Sequence, residues 1–225
     1  MAIWGEGVGR VLAPVTIKFW TSLDNPAWNY GAAAERELGA ALSVSVDPRR
    51  IRRKLVAKAV APLKDRFLVD GLGALPSEPI EDLYTFTDMS DIARHGDNLP
   101  ATRLYQWLKA SWLAGRPVEG RGRVFNSESS IDAYCRIYLD LYRSMERDGY
   151  RYSGDDEICL GLGADGEIIH IRRGTHRMAA AQILELPSVS ARITHIDRAF
   201  AKSAVKAAGG DAPGALQRAI KSATS

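Results

Sequence analysis

Along residues 157–197 the spacing of apolar positions changes twice. Ile158, Leu160 and Leu162 alternate with Glu157, Cys159 and Gly161, and a second alternation runs over Glu167–Arg172, with Ile169 and Ile171 on one face and His170 on the other. A period of two marks a strand, so strands are predicted near 157–163 and 167–172. Asp165-Gly166 between them is the strongest short hairpin signal in the chain. Gly174 breaks the second strand, Thr175–Leu186 follows at helical spacing, and Pro187 stops that helix. Val189, Ala191 and Ile193 then alternate in a closing strand near 188–194.

Elsewhere helical spacing dominates. Leu104, Trp107, Leu108 and Trp112 share one face of a helix over Pro100–Ala114, which Gly115 can end, and a loop is expected over Gly115–Gly122. Ser129 opens the next helix, with Asp132 three residues on as a partial capping box. Ile131, Tyr134, Cys135, Tyr138, Leu139, Tyr142 and Met145 recur along it up to Gly149. The tryptophans and tyrosines of these helices are read as core. In the first hundred residues, Asn25-Pro26 reads as a turn, Ala27–Leu42 as a helix, and Arg50–Leu63 as a basic helix ending near Pro62. Phe67-Leu68-Val69 reads as a short strand entering a turn at Asp70-Gly71, and Pro76–Pro79 as a loop. The tail, Arg198–Ser225, carries two short helical stretches split by residues 209–214. The expected fold is α+β: a largely helical extension over 1–98, a small mixed-sheet core over 99–197 and a helical tail over 198–225.

Composition adds bounds. With 225 residues, 46% hydrophobic and 25% charged, the chain is ordinary for a soluble globular protein. No run of 18 apolar residues exists, so no transmembrane helix is predicted. The first twenty residues lack a basic segment followed by a continuous apolar one, so no signal peptide is expected, and a bacterial-type cytosol is the default location. Cys135 and Cys159 form no CxxC pair or zinc spacing, and their apolar surroundings suit buried reduced thiols. The net charge of +3 permits anionic partners without demanding them. Charge is uneven, however. Residues 49–66 hold Arg49, Arg50, Arg52, Arg53, Lys54, Lys58, Lys64 and Arg66 against Asp65 alone, and residues 76–98 hold Glu78, Glu81, Asp82, Asp88, Asp91 and Asp97 against Arg94 alone. The basic run could meet nucleic acid, an acidic membrane surface or the acidic block. It lacks the interleaved aromatics of a single-strand binder, so nucleic acid is not favoured as a partner. Residues 49–58 are expected to lie exposed on a helix.

The turn at 172–177 is where the chemistry concentrates. Gly174 leaves the strand end without a side chain, so a ligand can approach the backbone. The following helix offers its first N–H groups and the positive end of its dipole, a ready place for phosphate. Thr175 adds a hydroxyl, His176 a donor that can be charged near neutral pH, and Arg177 a planar fork for two phosphate oxygens. Arg172-Arg173 raise the local positive charge. The competing reading is a plain turn with Thr175 as helix cap. Asp155, Asp156 and Glu157 lie just before the first core strand and could serve as a base or as magnesium ligands, as could Glu167; a solvated strand edge is the alternative. His170 could line a cleft or sit satisfied in the core, and His195 stands at the end of the last strand.

Strand, Asp165-Gly166 turn, strand, Gly-Thr-His-Arg, alanine-rich helix, Leu184-Glu-Leu-Pro187 and final strand together resemble the core of the ParB/sulfiredoxin superfamily. The helix Ile131–Arg147, with Asp148-Gly149-Tyr150, resembles the helix preceding that core, so the resemblance covers about residues 129–197. In sulfiredoxins the matching motif is Gly-Cys-His-Arg and binds ATP phosphates; in ParB it is Gly-Glu-Arg-Arg and binds CTP phosphates. Gly174, His176 and Arg177 match the first of these. Thr175 falls where sulfiredoxins carry their catalytic cysteine, and a hydroxyl cannot replace a thiolate in redox chemistry. No helix-turn-helix follows the core, which argues against a ParB role in chromosome partition. The resemblance implies binding of ATP or another nucleoside triphosphate at Arg173, Gly174, Thr175, His176 and Arg177. It further implies magnesium at Asp155 and Asp156, and phosphotransfer to a small molecule with Glu157 and His176 as catalytic groups. The alternative it leaves open is a nucleic-acid- or protein-binding module that uses the pocket as a nucleotide switch or not at all.

Overall fold

The computed structural model describes residues 23, 26–116, 118–120, 123–151, 157–209 and 211–225. In chain order its elements are α1 (Gly31–Leu38), β1 (Ser43–Val46), β2 (Arg53–Leu55), α2 (Ala57–Val60), β3 (Leu68–Val69), β4 (Ser77–Pro79), α3 (Tyr84–His95), α4 (Arg103–Leu113), β5 (Val118–Gly120), β6 (Arg123–Phe125), α5 (Glu128–Asp148), β7 (Ile158–Leu162), β8 (Ile168–Arg172), α6 (Thr175–Ile183), β9 (Val189–Asp197), α7 (Arg198–Ala207) and α8 (Ala212–Thr224), joined in places by short 3-10 turns. The fold is α+β, with eight α-helices and a mixed open sheet of seven strands among the described residues. No helix among them is long and apolar enough to cross a membrane.

The sheet runs β1-β9-β7-β8-β2-β4, and β3 adds to β9 beyond β1. β7 and β8 are antiparallel, β7 and β9 parallel, and β8 and β2 parallel. The predicted unit of two strands, a helix and a third strand stands where the alternation puts it. Its hairpin closes through Gly163 N–H to the Glu167 carbonyl at 2.8 Å, with Gly166 at φ 84°. The alternation also sorts the faces. Ile158, Leu160, Leu162 and Ile168 join the main core with Met178, Ala179, Ala180 and Ala181 of α6, whose small side chains let the helix lie close to the sheet. Cys159, Ile169 and Ile171 face the other way and pack with Leu55, Leu63, Val69 and Leu72. Both cysteines are free and buried, and burial pushes the Cys135 thiol up to about 12.

The first half differs most from expectation. Residues 43–79 supply β1, β2, β3 and β4 to the same sheet as the later strands. The basic helix expected over 50–63 does not form: Pro48–Arg50 is a 3-10 turn, Arg53–Leu55 is a strand, and only Ala57–Val60 is α-helical. The reason lies far along the chain. Lys54 pairs with His170 on β8, and the Arg53 guanidinium is held by both Glu167 carboxylate oxygens, by Ser77 Oγ at 3.1 Å and by the Gly73 carbonyl at 2.9 Å. Arg50 reaches the end of α8 and donates to the Ala223 carbonyl at 2.7 Å, where a cation suits the helix dipole. The acidic block turns to other partners, Asp88 to Arg103 and Asp97 to Arg143. Pro76–Pro79, expected as a loop, contributes strand β4, and the loop expected over 115–122 carries β5 of a two-stranded hairpin. The cap of α5 is Ser127, reciprocated by Ser130, rather than Ser129. Asn25 lies outside the described residues.

Candidate functional site

β8 ends and α6 begins through two consecutive residues in the left-handed region, Arg173 at φ 59° and Gly174 at φ 64°. Glycine accepts that region freely, whereas an arginine needs support. The support is His170. Its Nε2 lies 2.6 Å from the Arg173 carbonyl oxygen, so Nε2 carries a proton and donates it. The ring is fully buried and its Nδ1 has no partner; burial, with Lys54 nearby, holds its pKa down to about 4. His170 therefore pins the turn from inside the core, a positioning role that the sequence left open.

Gly174 is the helix cap, and its carbonyl accepts the first intrahelical bond from Met178 N–H at 2.8 Å. Thr175 is the first helical residue and Gly174 holds the cap position, so the reading of Thr175 as cap is corrected. The N–H groups of Thr175, His176 and Arg177 belong to the first turn, where α-helical geometry supplies no acceptor. Thr175, His176 and Arg177 are half-buried and Arg173 is exposed. Because β7 and β8 are antiparallel, with Cys159 opposite Arg172, Glu157 lies at the same end of the sheet as the turn. Glu157 is half-buried, and its carbonyl accepts from the Cys159 thiol at 3.5 Å. Asp155 and Asp156 lie outside the described residues. Glu167 is removed from the candidate site: it belongs to the hairpin at the opposite end of β8 and is engaged by Arg53. Among the described residues, no three histidine, cysteine or acidic groups converge as a metal site would require.

His176 connects the turn to a cleft of about 740 Å³. Its ring stacks on Tyr138 of α5 at 4.4 Å with 23° between planes. Tyr138 donates to Tyr134 Oη at 2.6 Å, meets the Tyr134 ring edge-on at 5.0 Å, and Tyr134 packs at 4.6 Å on Phe125 of β6. Tyr84 of α3 and Trp107 of α4 complete the aromatic wall. They stay 71% and 54% exposed, so the reading of Trp107 as core is corrected. Asp88 and Arg103 also line the cleft; Arg103 Nη2 donates to Asp88 Oδ1 at 2.7 Å, and burial raises the Asp88 pKa against the opposing pull of that bond. Gly174, Thr175 and Arg177 do not line it. Helical spacing could not reveal this cleft, since the same period that packs a core also lines a groove.

Arg172 and Arg173 diverge in their surroundings. Arg172 lines a second cleft of about 560 Å³ with Arg66, Arg192, Thr194 and His195. His195 is 4% exposed and serves the fold: its Nε2 lies 3.3 Å from the Leu63 carbonyl and its Nδ1 2.8 Å from Thr194 Oγ1. No family model, curated protein or solved structure matches the chain.

Proposed function

We propose that the chain binds a nucleoside triphosphate, ATP first among candidates, with its phosphates on the first turn of α6. The observation that carries this reading is the strand–turn–helix itself. Gly174 in the left-handed region starts a helix whose first residues are Thr175, His176 and Arg177. Backbone N–H groups and the helix dipole favour a phosphate there. The Thr175 hydroxyl, the His176 ring and the Arg177 and Arg173 guanidiniums add donors and positive charge. Phosphoryl transfer depends mainly on positioning and charge stabilisation, so this donor set is adequate for transfer to a small acceptor. Glu157, at the same end of the sheet, is the candidate base, and the segment holding Asp155 and Asp156 is the candidate magnesium ligand set. Magnesium would neutralise charge on the phosphate oxygens.

A thermal-shift screen against ATP, ADP, CTP and GTP, with and without magnesium, tests the reading. Ligand at a hundred times its Kd adds about 2.7 kcal/mol to stability and raises Tm. The expected result is a clear rise with at least one triphosphate and a smaller one with ADP. Unchanged Tm across all four nucleotides at millimolar concentration contradicts it. Turnover of bound ATP in the presence of acceptors separates a phosphotransferase from a nucleotide switch.

A further inference from the structure

We infer that the aromatic cleft beside His176 is a nucleoside-binding subsite that takes a base bearing an exocyclic amino group. The inference rests on the reading above only for where the phosphates lie; the cleft stands on its own observations. A space of about 740 Å³ accommodates a nucleoside. Its walls come from five separate elements: Tyr84 from α3, Trp107 from α4, Phe125 from β6, Tyr134 and Tyr138 from α5, and His176 from α6. Rings converging from that many elements, without filling the space between them, form a stacking platform, and stacking suits every base because each has a π-face.

The inner rings are fixed. Phe125 and Tyr138 are buried at 2% and 3% exposure, and the Tyr138–Tyr134 hydroxyl bond sets the ring orientations. The outer rings, Tyr84 and Trp107, keep large apolar surfaces in water, and an incoming flat ligand would cover them. Polar contacts are few and placed together. An ionised Asp88 only accepts, and its Oδ1 already holds Arg103, leaving Oδ2 for a ligand amino group. Arg103 supplies donors for a neighbouring carbonyl or ring nitrogen. An apolar, aromatic lining with a small number of grouped polar side chains is the usual make-up of a small-molecule site. His176 gives continuity, because its ring is in the cleft and its N–H is in the first turn of α6.

Calorimetric titration of the full chain with adenosine, guanosine, cytidine, uridine and, separately, inorganic tripolyphosphate tests the assignment. At least one amino-bearing nucleoside is expected to bind without any phosphate, and more tightly than uridine. Trp107→Ala should weaken that nucleoside by about ten- to a hundred-fold, the usual range for losing one stacked aromatic. The same variant should leave tripolyphosphate binding unchanged. Asp88→Asn should narrow the advantage over uridine. Tyr84→Ser, at the most exposed ring, repeats the test if Trp107→Ala fails to fold. Absence of nucleoside binding, or full binding by folded Trp107→Ala and Tyr84→Ser proteins, overturns the subsite. Nucleoside binding without tripolyphosphate binding upholds it and overturns the phosphate turn instead.

Discussion

The two faces of the sheet are covered by different means. On one face lie α3, α5 and α6, regular helices whose backbones satisfy themselves, and their side chains are free to build both a large core and an aromatic cleft. The other face carries a small cluster of Leu55, Leu63, Val69, Leu72, Cys159, Ile169 and Ile171, covered by short and irregular segments. Those segments cannot complete their own hydrogen bonding, so β9 does it for them. Asp197 Oδ2 accepts from Leu72 N–H at 2.8 Å, and His195 stands against the Leu63 carbonyl at 3.3 Å. A buried backbone group must find a partner somewhere. Asp197 and His195 on the irregular face are consequently committed to the fold, whereas the helical face builds the cleft where Asp88 and Arg103 stand.

The largest test of that contrast is Leu72→Ala. Leu72 is fully buried in the small cluster, and truncating a buried leucine costs about 2–5 kcal/mol. Urea melts should show a loss in that range, with nucleotide affinity unchanged. A loss below about 1 kcal/mol, outside the usual cost of a buried leucine truncation, would mean that this face contributes little to stability.

A second test is acid sensitivity, with one histidine on each face and, for each ring, an effect within the range expected of Leu72→Ala. Burial holds both His170 and His195 down to about 4, helped by the positive charges of Lys54 and Arg172 respectively. An unfolded histidine titrates near 6.5, and the folded rings stay neutral well below that. Their stabilising contribution is therefore complete above about pH 6.5 and is lost as pH falls from there toward 4, by roughly 3 kcal/mol for each ring. Denaturant melts at pH 7, 5.5 and 4 should show the decline. His170→Gln and His195→Gln should each remove about half of it. A profile that stays flat down to pH 4 would show that neither ring is held neutral.

How much of this was legible in the sequence depends on what set each element. Residues 157–197 could be read because strands of five or more residues display their alternation, and Asp165-Gly166 and Gly174 mark their breaks. β3 lies where Phe67-Leu68-Val69 predicts a short strand, but β1, β2 and β4 are three or four residues long, too short for a period, and exist because β9, β8 and β2 offer edges to pair with. Arg53 looked like one charge in a solvated helical run, but its partner, Glu167, lies 114 residues away. At the site, the turn and its residues were legible because local geometry sets them. The cleft was not. Tyr134, Tyr138 and Trp107 follow helical spacing whether neighbouring helices close over them or leave a groove. The pinning role of His170 was also hidden, since it depends on a carbonyl three residues on, whose direction is set by the positive φ of Arg173.

The measurement that bears most directly on the phosphate turn is a titration of ATP against wild type, Arg177→Ala and Arg177→Lys, paired with denaturant melts of each. Arg177 stands half-buried in the first turn of α6. A cation at that end opposes the helix dipole by about 0.3–1 kcal/mol. A partly exposed ion pair returns only about 0–1 kcal/mol. Removing the guanidinium should therefore change stability by less than about 1 kcal/mol. Loss of a charge-assisted, two-pronged contact to phosphate costs more, about 1.5–3 kcal/mol, or roughly a ten- to hundred-fold weaker Kd. Arg177→Lys should recover part of that, since an ammonium cannot reproduce the fork. Weakened ATP binding with near-normal melts is the predicted result. Unchanged affinity with a large loss of stability would contradict the account and make Arg177 a structural residue.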